Sequence, residues 1–594
     1  MIKSGLQGKS DPAALVRQTF RTLLPIQILA AATPSLTSIL NGILIGNYLP
    51  PEALVALGFV VPVNALLGSL SLIISSGARV FCGRFIGRGE IKKLDYAFTA
   101  SVISLAVMGA VVTLIMLFIS RPIAALLGAE GASAVATAEY LRGLAIGIIP
   151  MMMVPCLMVF LQMENESDYA LISTVILAAC SLVFGLINLK TFDGSIYGMG
   201  IASSVSQYVT CLFLAVHIMR SKTLMKLDIH GTDMGIIPGM VRIGFPAALA
   251  NILYSLRNML LNPIGMKIGG SGAVASLAIL NSAAAPFDAV NVGFGAVVLM
   301  FASIIVGERD RELLKALFRV SMRLGIFIGL AKIAIIIPTA KYIVTMFGAE
   351  GELTAMSSRL FIIYSFTMPL NAVTLSFISM YQNLGRVRYI NIIYVFSCML
   401  IPVGTALGLG ALIGVDGVWS CYALAEAVTV IILFAVPWIS NKRVSLDPLD
   451  LLMPGDAFEG GAKLSISLHT VDEAVNCSQR IEEFCLENGI DGRRSGLCGL
   501  CAEEMAVNII EHGFTKTKRH DLGVELFLLL EDGCVNLRIV DNAPHFDPHE
   551  KLSYNDPDDP CKGVGIRLVA KIADEMEYRS TFGMNVLRIK LLEK

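Results

Sequence analysis

The feature that most constrains this chain is a series of apolar stretches, each roughly 20 residues long, that recur from Phe20 to about Ser440 and stop after Asn441. A helix of that length rises about 30 Å, which is the thickness of the hydrocarbon core of a bilayer. The composition agrees, because 16% of the residues are charged, whereas soluble domains carry about 25%. We therefore predict an all-α polytopic membrane bundle followed by a soluble domain.

Twelve membrane spans are predicted from the apolar stretches. They are 20–48, 55–83, 95–120, 138–163, 168–189, 197–219, 238–266, 272–305, 316–340, 355–380, 387–411 and 415–440. Lys and Arg cluster in alternate loops, as between the second and third spans. By the positive-inside rule this places both termini in the cytoplasm, which requires an even number of spans.

The two halves of the membrane region repeat each other. Residues 126–131 (LLGAEG) recur as 346–351 (MFGAEG), and Pro150 has a counterpart in Pro369 at nearly the same displacement of about 220 residues. Six spans in each half give both halves the same orientation, which makes them parallel repeats with a substrate cavity expected between them.

These observations divide the chain into six predicted segments. They are a cytoplasmic N-terminal segment (1–19), a first six-helix half (20–220), a cytoplasmic loop (221–237), a second six-helix half (238–440), a linker (441–462) and a soluble domain (463–594).

Several short segments indicate a family for the membrane part. Residues 44–49 (LIGNYL), 76–80 (SGARV) and 87–90 (GRGE), with the Gly-Ala-Glu-Gly repeat, resemble the multidrug and toxic compound extrusion (MATE) family over residues 15–440. The resemblance implies a multi-pass protein of the bacterial plasma membrane. It also implies efflux of small, cationic organic compounds in exchange for H⁺ or Na⁺.

Coupled exchange needs a group inside the bundle that binds a proton or cation. Many MATE proteins have an Asp in the first span, where this chain has Asn41, and the seventh span carries Asn251 and Arg257 instead of an acid. The candidate coupling acids are therefore Asp288 in the eighth span and Glu426 in the twelfth. Either acid could instead pair with Arg257 and only hold helices together.

The soluble domain has a different character from the rest of the chain. From residue 445 onward it holds 27 Asp and Glu against 16 Lys and Arg, which argues against nucleic acid as a partner. Alternating and helical periodicities predict strands and helices in the order of an α/β sandwich.

Three motifs follow one another in this domain. Glu504 and Asn508 lie four residues apart on one helical face, with His512 one turn further. The side-chain oxygen of Asn508 suits Mg²⁺, and Glu504 could act on a nucleophile.

The second and third motifs suit a nucleotide. Asp541 ends a strand, where its carboxylate can accept a hydrogen bond from an adenine amino group, and Phe546 follows in the same segment. Gly563, Val564 and Gly565 open a helix whose free amides and dipole suit phosphates.

The order and spacing of the three motifs resemble the GHKL (Bergerat-fold) ATPases, and among them the bacterial anti-sigma-factor serine kinases. The resemblance implies ATP and Mg²⁺ as cofactors, with Glu504 as catalytic base, Asn508 as Mg²⁺ ligand, Asp541 as adenine reader and Gly563 and Gly565 as the phosphate turn. It also implies a STAS-type or sigma-factor protein as a possible partner. In that family a Gly often stands where this chain has Ala543.

Three functions remain open from the sequence. The first is a cation-coupled antiporter with an ATP-binding regulatory or signalling domain, with possible serine/threonine kinase activity. The second is a membrane-anchored kinase or receptor whose bundle no longer transports, and the replacement of the first-span acid by Asn41 favours it. The third is a lipid or oligosaccharide flippase.

Overall fold

A computed structural model describes residues 12–164, 166–191, 194–220, 225–228, 232–441, 461–516, 522–531, 533–544, 547–548, 564–581 and 584–593. The chain divides into two compact units. One is Leu23–Ala457, and the other is Phe458–Lys594 grouped with Met1–Thr22.

In its described residues the membrane unit consists of helices joined by turns and short irregular segments. Its helices are α1 (Pro12–Tyr48), α2 (Pro51–Arg88), α3 (Ile91–Leu126), α4 (Gly131–Ala145), α5 (Ile148–Met163), α6 (Ser167–Thr191), α7 (Ile196–Arg220), α8 (Ile237–Glu308), α9 (Arg311–Met346), α10 (Gly351–Ser365), α11 (Thr367–Asn383), α12 (Val387–Val395), α13 (Ile401–Ile413) and α14 (Val415–Asn441).

Within the described residues, nine helices are long and apolar enough to cross a membrane, or ten if the bent pair α4 and α5 counts as one span. Helix α8 has 72 residues, or about 108 Å of helix, which exceeds the thickness of a bilayer more than threefold. Its backbone is non-helical at Gly270 (φ 66°, ψ −162°). The two parts of α8 on either side of Gly270 cover the predicted seventh and eighth spans, and α1 covers the first.

Helices α2 and α8 pack against each other with glycine at the contact. A methyl group placed on Gly83 would lie 1.7 Å from the hydroxyl oxygen of Ser303, and one on Gly87 would lie 2.3 Å from the carbonyl oxygen of Ile304. A methyl group on Gly307 would lie 2.4 Å from the carbonyl oxygen of Arg84. Small residues let backbones approach closely where no hydrophobic effect drives helix association. These three glycines therefore set the distance between α2 and the second part of α8.

Among its described residues, the C-terminal domain has five strands and three longer helices. They are β1 (Ala462–Leu468), α15 (Val471–Glu487), α16 (Gly492–Asn508), β2 (Val524–Glu531), β3 (Cys534–Asp541), α17 (Val564–Ile572), β4 (Glu575–Thr581) and β5 (Met584–Leu591). The strands form one antiparallel sheet in the order β1-β2-β3-β5-β4. Side chains from the sheet and all three helices share one buried core, which confirms the α/β sandwich.

Local chemistry explains where the first two helices of this domain begin. Thr470 accepts a hydrogen bond from the backbone of Glu473, and the Glu473 side chain accepts one from the backbone of Thr470, which is a capping box. Asp491 caps α16 by accepting from the backbone of Arg494. Such caps satisfy amides that have no partner within the helix. The Asp491 cap therefore fixes the start of α16, the helix that carries Glu504 and Asn508.

Candidate functional site

The predicted acid of the eighth span lies in a polar cluster inside the second half of the bundle. The hydroxyl of Tyr364 on α10 lies 3.0 and 2.9 Å from the two carboxylate oxygens of Asp288 and donates to that carboxylate. One turn further along α8, Asn291 accepts a hydrogen bond of 2.5 Å from the amine of Lys332 on α9. The same amine lies 3.3 Å from the carbonyl oxygen of Phe287. A carboxylate and an amine therefore share this part of the bundle.

Glu426 on α14 is held by neutral donors. The amide of Asn371 donates to one of its carboxylate oxygens at 3.0 Å, and the hydroxyl of Thr374 donates to the other at 3.1 Å. Both donors belong to α11. Neutral donors stabilise a carboxylate without cancelling its charge, so the net charge of this group remains available to a proton or cation.

Arg257 does not form the alternative ion pair with either acid in the part of the chain that the structure describes. Its guanidinium lies 4.8 Å from the ring centre of Tyr254 and 4.9 Å from that of Tyr422, which is cation–π geometry. Its Nε is buried without a hydrogen-bond partner. Asn251, six residues earlier on α8, accepts through its backbone carbonyl from Ser255 at 3.0 Å.

In the first half of the bundle, two polar pairs consist of uncharged side chains. Asn41 accepts a hydrogen bond of 3.1 Å from the hydroxyl of Ser181 on α6. Gln27 donates to Gln162 at 2.7 Å in a buried pair. Neither arrangement includes a group that gains or loses a proton near neutral pH. The titratable candidates are thus confined to the second half among these predicted positions.

Two participants in the membrane cluster were not predicted. Lys332 is 5% exposed and lies in the middle of the apolar helix α9. A lone lysine within a span is costly and indicates a function, so the sequence did carry this signal. Tyr364 carries no such signal, because a tyrosine in an apolar helix is common and only the packing of α10 against α8 brings it to Asp288.

In the C-terminal domain, Asp541 lies at the end of β3 and is 6% exposed. Its Oδ1 accepts hydrogen bonds from the side-chain amide of Asn585 at 2.8 Å and from the backbone amide of Ala543 at 2.9 Å. The hydroxyl of Tyr578 donates to Asn585 at 2.8 Å. Burial raises the pKa of Asp541 to about 6, while the two hydrogen bonds oppose that shift. The carboxylate is ionised at neutral pH and held in one orientation.

Two of the predicted motifs meet at the start of α17. A methyl group placed on Gly565 would lie 2.2 Å from Oε2 of Glu504 on α16. Glu504 therefore faces the first turn of the helix that was predicted to bind phosphates, and a side chain at position 565 would displace its carboxylate. Asn508 ends the regular part of α16, and a π-helical turn, Ile509–Gly513, follows. Such turns occur frequently at functional sites.

The remaining predicted residues of this domain are exposed or lie outside the described part of the chain. His512 is exposed in the π-helical turn, and Val564 is exposed at the start of α17. Phe546 and Gly563 lie outside the described residues. A methyl group on Gly513 would lie 3.0 Å from Cβ of Ala543, so the π-helical turn after α16 packs closely against the turn after Asp541. Asn585 and Tyr578, which orient Asp541, were not predicted as site residues.

The pair Cys498 and Cys501 lies in the core of the same domain. Burial raises the pKa of the Cys501 thiol to about 12. A thiol with that pKa stays protonated at neutral pH, and protonated thiols are poor metal ligands and nucleophiles. The geometry therefore supports a packing role for Cys501.

Comparison with known protein families finds a match for each of the two regions. The MatE family matches residues 25–187 and 246–407, one segment in each half and together more than half of the chain. The histidine kinase-like ATPase domain family matches residues 469–591.

Curated relatives and solved structures cover the membrane part. The multidrug export protein MepA of Staphylococcus aureus is 23% identical over 428 residues, which is 70% of this chain and 93% of that protein. The Staphylococcus saprophyticus protein of the same name is 23% identical over 426 residues, again 70% of this chain and 93% of that protein.

An outward-facing multidrug resistance MATE family transporter of the MOP superfamily aligns with a TM-score of 0.66 at 21% identity, covering 74% of this chain and 99% of that one. A MOP superfamily transporter from Pyrococcus furiosus, described as having a binding pocket of reverse polarity, aligns with a TM-score of 0.65 at 21% identity, covering 74% and 100%. At this identity the structural similarity concerns the fold.

Proposed function

Because the chain belongs to the MatE family and ends in a histidine kinase-like ATPase domain, we propose that it is a cation-coupled antiporter that exports small organic cations under the control of an ATP-binding domain. The observation that carries the transport part is the pair of carboxylates, Asp288 and Glu426, inside the second half. Each is held by neutral hydrogen-bond donors and neither pairs with Arg257 in the described residues. A carboxylate in that condition can take up H⁺ or Na⁺ and release it again.

The transport test uses the full-length protein in liposomes. Uptake of a fluorescent organic cation is followed under an imposed H⁺ gradient, and separately under a Na⁺ gradient. Asp288→Asn and Glu426→Gln each abolish uptake in this proposal. Asp416→Asn serves as the matched control, because Asp416 forms a surface ion pair with Arg359 at 3.3 Å. Absence of uptake by the wild type under both gradients would overturn the antiporter.

The C-terminal domain binds Mg·ATP in this proposal, with Asp541 accepting from the adenine amino group and Asn508 ligating Mg²⁺. Glu504 acts as the base that accepts a proton from a serine hydroxyl while the γ-phosphoryl group moves from ATP to that oxygen, the bond to the bridging oxygen breaks and ADP leaves. The support is the contact of Glu504 with the first turn of α17 and the fixed orientation of Asp541. The partner is a small STAS-type or sigma-factor protein.

The kinase test also uses the full-length protein. Glu504→Gln retains Mg·ATP binding and loses phosphate transfer to a serine of a STAS-type protein. Glu503→Gln is the control, since it changes the same chemistry one residue away on α16. Wild-type protein that binds no Mg·ATP would exclude the whole assignment of the domain. Binding without transfer would leave a nucleotide sensor.

Both termini are cytoplasmic in this proposal, since ATP is a cytoplasmic ligand and the basic loops favour that side. Protease added to inside-out membrane vesicles removes the C-terminal domain, whereas protease added to intact cells leaves it in place. The reverse result would contradict the topology.

A membrane-anchored kinase without transport is the second candidate. The observation in its favour is Asn41, whose amide is engaged with Ser181 and cannot carry a proton. This candidate shares the kinase test but expects no gradient-driven uptake. The liposome measurement therefore separates the two functions.

A further inference from the structure

A crevice of about 470 Å³ lies between the start of α8 and the start of α12. Its lining residues are Val241, Arg242, Phe245, Val387, Arg388 and Asn391. The two arginines are exposed and form no ion pair in the part of the chain that the structure describes. The crevice therefore presents two positive charges that no described carboxylate pairs with.

The pattern of charged residues along the two helices places the crevice at the edge of the membrane. Arg388 is the second residue of α12 and the only charged residue from Val387 to Ile413. Arg242 is the sixth residue of α8, and no charged residue follows it before Arg257. An arginine that ends a long uncharged stretch of a spanning helix lies at the level of the lipid headgroups. Both guanidinium groups thus lie at the depth of lipid phosphates.

The rest of the lining matches the other parts of a lipid. Phe245 and Val241 are 42% and 36% exposed, so they offer apolar surface beside the two charges. The side-chain oxygen of Asn391 is buried and has no hydrogen-bond partner among the described residues. A buried acceptor without a donor costs about 1–3 kcal/mol, and a headgroup hydroxyl would satisfy it.

We propose that this crevice binds an anionic glycerophospholipid of the phosphatidylglycerol type. Its phosphodiester lies between the two arginines, its headgroup hydroxyl donates to Asn391, and its acyl chains lie along Phe245 and Val241. Basic pockets between membrane helices bind anionic headgroups by this chemistry. A free phosphate ion has the charge but no use for the apolar lining, so the occupant is the lipid.

The site is separate from the proposed transport cluster. Neither arginine contacts Asp288 or Glu426, and the lining residues belong to the helix ends and not to the interior of the second half. Lipid bound here contacts both α8 and α12 and so adds to the direct packing between these two helices. The lipid is thus a structural ligand of the bundle and not its cargo.

The test measures lipid binding to the purified full-length protein by native mass spectrometry, with dioleoyl-phosphatidylglycerol and dioleoyl-phosphatidylcholine titrated separately. The wild type prefers phosphatidylglycerol. The double substitution Arg242→Gln with Arg388→Gln weakens its binding about 30-fold, or about fivefold for each basic residue near a bilayer surface. Asn391→Leu weakens it about fivefold through one lost hydrogen bond.

Two further variants keep the test decisive. Arg319→Gln removes an exposed arginine of α9 away from the crevice and leaves the preference unchanged. Val241→Trp fills the crevice while keeping both charges, and it weakens phosphatidylglycerol binding if the site is the crevice. Equal binding of both lipids by the wild type, or an equal loss in Arg319→Gln, would overturn the proposal. Displacement of the lipid by millimolar inorganic phosphate would also overturn it, because the crevice would then recognise phosphate alone.

Discussion

Asp541 and Asn585 face each other in register on β3 and β5, and the Asn585 amide donates to the Asp541 carboxylate at 2.8 Å. The hydroxyl of Tyr578 in turn donates to Asn585, so the orientation of the amide is fixed from its other side. This row of three side chains leaves Oδ2 of Asp541 available as an acceptor. The proposed adenine reader is therefore positioned by Asn585 on β5, which is itself held by Tyr578 on β4.

Replacing Asn585 tests this arrangement. Asn585→Ala removes the donor and is expected to weaken Mg·ATP binding about tenfold, since a hydrogen bond to a charged group contributes about 1.5–3 kcal/mol. Calorimetric titration measures the change. Asn536→Ala, at the other end of β3, is the control and leaves affinity unchanged. Unchanged affinity in Asn585→Ala would mean that Asp541 does not depend on it or does not read adenine.

The raised pKa of Asp541 predicts that ATP binding depends on pH. Burial raises that pKa to about 6, so the acceptor is ionised at pH 7.5 and mostly protonated at pH 5. Affinity is expected to fall by up to about tenfold between those values. The stability of the ligand-free domain changes in the opposite direction. The folded state holds this proton more tightly than the unfolded state, so acidification from above pH 6 to below pH 4 adds stability from this group. The shift in melting temperature caused by ATP, measured at both pH values, separates the two effects.

Gly565 is expected to be irreplaceable in the nucleotide site. Gly565→Ala places a methyl group 2.2 Å from Oε2 of Glu504 and must displace that carboxylate. We expect at least tenfold slower phosphate transfer with the domain still folded. Gly496→Ala on α16 is the control, because the nearest atom to its methyl group is 3.8 Å away and alanine favours a helix by up to about 1 kcal/mol. Normal transfer by Gly565→Ala would remove Glu504 from the mechanism.

The hydroxyl of Tyr364 is expected to matter for transport. Tyr364→Phe keeps the ring but removes the donor to Asp288, leaving the buried carboxylate with one partner fewer. The rate of gradient-driven uptake is expected to fall about fivefold to tenfold, the value of one such hydrogen bond. Tyr389→Phe, an exposed tyrosine on α12, controls for loss of a hydroxyl alone. Equal rates in both variants would exclude Asp288 as a coupling group that depends on Tyr364.

The glycine contact between α2 and α8 makes a prediction about stability. Gly83→Ala places a methyl group 1.7 Å from the Ser303 hydroxyl and is expected to lower the free energy of unfolding by about 1–3 kcal/mol, as other overpacked contacts do. Gly58→Ala on the same helix has no atom within 4 Å of its methyl group and is expected to leave stability unchanged or slightly raised. Thermal unfolding in detergent compares them. Equal stability of the two variants would mean that α2 and α8 separate without cost.

Much of the architecture was predictable because it follows from local pattern. Apolar length predicted a polytopic helical bundle, and the alternating and helical periodicities predicted the α/β sandwich. The break in α8 at Gly270 falls between the predicted seventh and eighth spans, 238–266 and 272–305. The surroundings of Arg257 could not be read from the sequence, because no local pattern shows that the rings of Tyr254 and Tyr422 lie within 5 Å of the guanidinium.

The sequence by itself determined that this chain has a two-part design, with a repeated apolar bundle and an acidic α/β domain carrying Glu504, Asn508 and Asp541 in order. Periodicity, length and short-range spacing suffice for such conclusions, because they depend on neighbours along the chain. Only the tertiary structure decided which groups meet, such as Tyr364 with Asp288, Asn585 with Asp541 and Glu504 with Gly565. These pairs are separated by 44 to 76 residues. Their contact depends on the packing of helices and the register of strands, which no local pattern specifies.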